Sequence, residues 1–68
     1  MTTAEALVVA MKRELAAYRL YIELAAAATT YETLDIFVLL AQEEARHRLR
    51  LEKEYTKLVG SLVLSNSN

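Results

Sequence analysis

The sequence has no cysteine, no proline and only one glycine, Gly60, close to its C-terminal end. The lack of cysteine excludes disulfides, thiolate metal sites and thiol chemistry, and nothing points to an oxidising compartment. With proline missing and glycine confined to position 60, no interior residue breaks a helix between Ala4 and Val59. Neither sign of charge dominates. Eight Lys and Arg stand against nine Asp and Glu, a net charge of -1 that does not indicate a polyanionic partner. A long unbroken apolar run is also missing. The stretch Leu7 to Ala28 has the length of a membrane span, but Lys12, Arg13, Glu14, Arg19 and Glu23 interrupt it at several angles around a helix. Met1 to Ala6 carries only Glu5 as a charge, without the basic start of a secretory signal. The expected location is cytoplasmic, with no membrane partner.

What is present is 68 residues, 54% of them hydrophobic, enough for one small domain. Ordering costs roughly 1.5 kcal/mol per residue, so the chain must remove on the order of 4,000 Å² of apolar area from water merely to break even. A single copy falls short, and the missing stability has to come from self-association or a metal. Ala, Leu and Glu dominate, which sets the fold class as all-α. Thr2 followed by Glu5 reads as a capping box, and Thr29 followed by Glu32 repeats the signature mid-chain. The spacing predicts helix 1 over about 3–28 and helix 2 over about 30–59, a hairpin spanning 1–60. Gly60 is expected to close the second helix and 61–68 to form a tail. Thr29-Thr30-Tyr31 contains no Gly or Asn, so one continuous helix is the alternative to a hairpin.

Leu7, Met11, Glu14, Tyr18, Tyr21, Ala25 and Ala28 follow alternating steps of four and three, the spacing of a bundle seam. Phe37, Leu40, Glu44, His47, Leu51 and Leu58 lie on a matching seam, with Glu54 an imperfect member. A hairpin on its own leaves both stripes half covered. Two antiparallel hairpins facing each other close a four-helix bundle, and a twofold homodimer is the expected assembly.

Glu14, Glu44 and His47 do not belong in an apolar core. A buried, unpaired carboxylate costs several kcal/mol, so two copies of Glu14 and Glu44 together would strongly disfavour folding unless neutralised. In an antiparallel hairpin, two residues are level when their sequence midpoint falls at the turn. The midpoint of Glu14 and Glu44 is Thr29, and that of Glu14 and His47 falls between Thr30 and Tyr31. Capping alone places the turn, so the three side chains are independently expected at one height. Across a dimer the layer holds four Glu and two His, whose charge two divalent cations balance. Oxygen-rich ligands with one imidazole per metal favour iron or manganese, with zinc not excluded by affinity.

Ordinary surface pairing is the competing reading. Glu43 with His47 and Glu44 with Arg48 both stand at i to i+4 spacing, each pair contributing a few tenths of a kcal/mol on a solvated face. Tyr18 and Tyr21 lie one and two turns beyond Glu14, where a phenol either donates to a metal-bound carboxylate or fills the seam with its hydroxyl satisfied elsewhere. Glu23 falls about 180° around the helix from Glu14 and is set aside. Arg46, Arg50, Lys53 and Lys57 share a face of the second helix, but Glu43, Glu52 and Glu54 dilute it, so a solvated outer face is preferred to an RNA-binding one.

Glu14-x-x-Ala17-x-x-x-Tyr21 in the first half and Phe37-x-x-x-Ala41-x-x-Glu44-x-x-His47 in the second resemble the rubrerythrin branch of the ferritin-like di-iron proteins. The resemblance covers roughly Leu7 to Leu58. It implies that Glu14 and Glu44 are carboxylate ligands, His47 the imidazole ligand, and Tyr21 the site tyrosine that hydrogen-bonds beside the metal. It also implies two iron ions per dimer and oxidoreductase chemistry with O2 or hydrogen peroxide. Family members usually carry two helix pairs in one chain, whereas this sequence carries one, so a second copy must supply the other half. Peroxidase-type members also carry a four-cysteine iron domain. No cysteine occurs here, so peroxide turnover would need an external electron donor.

The expected function is therefore a di-iron or di-manganese ferroxidase or peroxide reductase, in which carboxylates adapt their binding mode as metal charge changes. The alternatives are a non-enzymatic helical dimerisation or assembly module, and, more remotely, an RNA-binding hairpin dimer. Gly60-Ser61-Leu62-Val63-Leu64 faintly resembles the Gly-Ser-Leu peptides that load ferritin-like cargo into encapsulin shells, and it equally fits a helix end.

Overall fold

The computed structural model of the chain describes residues 1–65. It contains two helices, α1 (Thr3–Ala27) and α2 (Tyr31–Ser65), folded back on each other as an antiparallel hairpin. The fold is all-α, as the composition requires.

Local chemistry sets the start of α1. Thr2 sits in extended backbone, and its hydroxyl accepts from the Glu5 N–H at 3.1 Å, while the Glu5 carboxylate accepts from the Thr2 N–H at 3.0 Å. This reciprocal pair satisfies two N–H groups that helix geometry leaves without partners. At the other end, Ala28 turns to extended backbone at ψ 137, and α1 stops without glycine. The cap of α2 lies one residue later than Thr29 and Glu32 suggest. The Thr33 N–H donates to the Thr30 hydroxyl at 3.2 Å, the Leu34 N–H donates to the Thr30 carbonyl at 3.1 Å, and the Thr30 and Thr33 hydroxyls are in contact. Thr30 wins because its side chain is the one that reaches the first free N–H groups of the second helix.

Gly60 does not end α2. It is helical, with φ outside the left-handed region, and a Cβ there would meet open space. A single glycine costs a helix about 1 kcal/mol, too little to stop it when the residues on both sides support helix. The stretch 61–65, expected as tail, is thus the last part of α2, where the Ser65 hydroxyl donates to the Ser61 carbonyl at 2.7 Å. The remainder of the expected tail, 66–68, lies outside the described residues.

The hairpin is a rod of 59 × 18 × 12 Å with a radius of gyration of 16.2 Å. A globular chain of this length has a radius near 11 Å. Ala41 on α2 is the one buried hydrophobic residue among those described. Large apolar side chains stay open to solvent, among them Leu20, Ile36 and Leu39 at 50–57% exposure and Leu49 at 58%.

Candidate metal centre

Glu14 lies near the middle of α1, while Glu44 and His47 lie one turn apart on α2. The hairpin turn brings them level. One donor atom from each falls within 4.8 Å of the others, the grouping that the midpoint argument anticipates. The His47 Nδ1 stands 3.4 Å from Glu14 Oε2 and 3.9 Å from Glu44 Oε2. The two carboxylate side chains are largely covered, at 25% and 19% exposure, while the imidazole is 52% exposed on one flank of the seam.

The surface-pair reading is not what the structure displays. Among the described residues His47 faces Glu14 and Glu44 rather than Glu43, and Arg48 pairs with Glu52 at 3.3 Å rather than with Glu44. Arg46, Arg50, Lys53 and Lys57 are exposed, and Lys57 pairs with Glu54 at 3.4 Å, as a solvated face would have it. Tyr21 is half-buried, and its ring stacks on Phe37 with centroids 6.5 Å apart and planes 19° apart. Among the described residues its hydroxyl makes no hydrogen bond, so within one hairpin Tyr21 packs the seam and is not tied to the carboxylates. Tyr18 instead lines a groove together with Glu14 and Glu44.

Electrostatics place the cluster under strain without a cation. The Glu44 carboxyl is held above the usual carboxylate range, first because the adjacent Glu14 carboxylate favours a hydrogen bond from its protonated form. Partial desolvation and direct repulsion from Glu14 push the same way, and His47 opposes them. Glu14 Oε2 is buried and has no hydrogen-bond partner, a costly state for a carboxylate oxygen. An ion with bonds of about 2.0–2.2 Å holds its donors roughly 3–4 Å apart, close to the spacing seen here. Two carboxylates and an imidazole, one of whose acceptors has no partner of its own, are therefore a donor set that fits a divalent iron or manganese ion.

An all-α hairpin with a carboxylate–imidazole cluster at mid-height has the donor set found in helical metal-carboxylate proteins. The sequence matches the rubrerythrin family over residues 5–68, nearly its whole length, and the chain belongs to that family. The family as a whole binds iron and consists largely of oxidoreductases. No curated protein matches the chain, and no solved structure does. Among the described residues no helix is long and apolar enough to cross a membrane.

Arg48 is the residue that sequence reasoning underrated. Its Nε is buried without a hydrogen bond, on the flank of the seam opposite His47. The signal was its i+4 spacing from Glu44, which read as a surface pair.

Proposed function

We propose that the chain is a rubrerythrin-type iron-dependent oxidoreductase whose di-iron centre forms between two copies of the hairpin. The convergence of Glu14, Glu44 and His47 to within 4.8 Å, with Glu14 Oε2 buried and without a hydrogen bond, carries this reading. Two hairpins bring four carboxylates and two imidazoles together, and the carboxylates, each with two oxygens and able to reach both ions, carry the charge that two divalent ions balance. The hairpin's accessible surface of 5440 Å² supports the pairing, since a folded monomer of its mass exposes about 4,300 Å². The two helix pairs then close a four-helix bundle.

In that assembly Glu14 and Glu44 hold the metals as carboxylates, and His47 completes each half as a neutral imidazole. Bound iron would supply electron exchange with O2 or hydrogen peroxide. The protein's share is to keep the carboxylates out of bulk water and to hold their spacing fixed. These 68 residues contain no cysteine, so any donor of electrons for repeated peroxide reduction lies outside them.

Anaerobic Fe(II) titration of the purified protein tests the reading. Saturation near two ions per dimer, abolished in Glu44→Ala, is the expected result. A stoichiometry unaffected by Glu44→Ala, or no iron uptake and no change of melting temperature with Fe(II) or Mn(II), contradicts it and favours a helical assembly module.

A further inference from the structure

Among the described residues, two buried side-chain atoms lack a hydrogen-bond partner: Glu14 Oε2, an acceptor, and Arg48 Nε, a donor. A metal ion satisfies the first. It cannot satisfy the second, because a cation repels a guanidinium. Arg48 lines a groove of about 300 Å³ that reaches Glu14 and Glu44 from the flank opposite His47, with Tyr18 and Leu15 in its wall and Glu52 beside it. Glu52 Oε1 stands 3.3 Å from Arg48 Nε as an ion pair but does not accept a hydrogen bond from it. The Nε–H of a guanidinium otherwise 42% exposed thus lines the same groove as the two carboxylates and makes no hydrogen bond of its own.

We infer that Arg48 binds hydrogen peroxide in this groove and that it sets the preference of the site for peroxide over dioxygen. The inference rests on the reading that Glu14, Glu44 and His47 hold iron. The donor needs a small oxygen acceptor. Dioxygen is apolar and accepts hydrogen bonds poorly, while the carboxylates of Glu14, Glu44 and Glu52 around one guanidinium repel a multiply charged anion. Hydrogen peroxide is neutral and carries lone pairs on both oxygens. Its reduction takes two electrons, one from each of two ferrous ions, and two protons. The O–O bond breaks and two waters result. Until it is protonated, the departing oxygen carries negative charge, which a guanidinium hydrogen bond stabilises.

The test uses the intact protein loaded with zinc, which cannot reduce peroxide. In 1H–15N spectra of the arginine side chains, addition of hydrogen peroxide should shift the Arg48 Nε–H resonance saturably and leave those of Arg46 and Arg50 in place. With iron bound, Arg48→Leu should raise KM for peroxide about tenfold, with Arg48→Lys between the two. Iron stoichiometry should stay unchanged in both variants, and the peroxide reaction should lose more of its rate than O2-driven Fe(II) oxidation does. An Arg48 resonance unmoved by peroxide, or a peroxide KM the same in wild type and both variants, overturns the inference while leaving the metal site standing. Failure of the wild-type chain to bind iron overturns both.

Discussion

The two flanks of the inter-helix seam share the same two carboxylates and differ in what stands beside them. On one flank His47, three residues after Glu44, faces Glu14 and Glu44 across 3.4 and 3.9 Å. On the other, Arg48, four residues after Glu44, is held by Glu52 and lines the groove behind the cluster. One step along the helix turns a side chain by about 100°, so neighbouring residues are committed to opposite flanks. The His47 flank can offer an imidazole ligand to a cation, whereas the Arg48 side chain on the other flank can only donate hydrogen bonds. Glu14 and Glu44 are thus shared by two unlike surroundings, an imidazole on one flank and a guanidinium-lined groove on the other.

The largest expected effect breaks the His47 flank. His47→Ala should weaken Fe(II) or Mn(II) affinity by about 100-fold or more, measured by anaerobic titration, while Arg48→Ala leaves affinity within a few-fold. The next contrast concerns which flank meets the second copy. Leu51 lies beside His47 and Leu49 beside Arg48. Leu51→Lys should convert the dimer to monomer at micromolar concentration in sedimentation velocity, and Leu49→Lys should leave it dimeric. The reverse pattern would put the interface on the wrong side of the seam and separate His47 from its partner copy. Replacing the proton-sharing carboxyl with an amide, Glu44→Gln, should raise the melting temperature of the metal-free protein by several degrees, because it removes the charge that Glu14 disfavours.

Effects away from the seam are smaller and serve as controls. Thr30→Ala should cost about 1 kcal/mol through loss of the α2 cap, a fall of a few degrees in melting temperature with metal stoichiometry intact. The smallest effect belongs to Glu5. Its carboxyl lies below the usual range because of the backbone hydrogen bond from Thr2, followed by that of the Thr2 side chain. A depressed folded-state value means the contribution is complete above the ordinary value of 4.5 and is lost as pH falls through the lower, folded-state one. Far-ultraviolet circular dichroism below pH 4.5 should therefore show the N-terminal turn of α1 fraying in the wild type, with Glu5→Ala, which has no acceptor for the Thr2 N–H, already frayed at neutral pH.

The hairpin and its polar layer were legible from local patterns. Seam spacing, two Thr-led starts and a midpoint argument are all one-dimensional, and each survives translation into helices because 3.6-residue periodicity fixes which side chains share a face. The features that were not legible depend on competition between near-equal local options. Thr29 and Thr30 offer the same hydroxyl one residue apart, and only the path of the backbone out of Ala28 decides that Thr30 caps α2. Gly60 carries a stop signal weaker than the helix around it. Tyr21 was expected beside the carboxylates, but on α1 it meets Phe37 across the seam, and ring stacking decides its neighbours in the single hairpin. Arg48 escaped notice because Glu44 and Glu52, one turn either side, are equally spaced from it, and sequence cannot say which one it chooses.

Anomalous scattering at the iron edge from crystals of the Fe(II)-loaded protein tests the central claim most directly. The account predicts two peaks per pair of hairpins, each within bonding distance of Glu14, Glu44 and His47 side chains and enclosed by four helices. Peaks held by other residues, or no iron signal in hairpins whose Glu14, Glu44 and His47 face solvent, would contradict it.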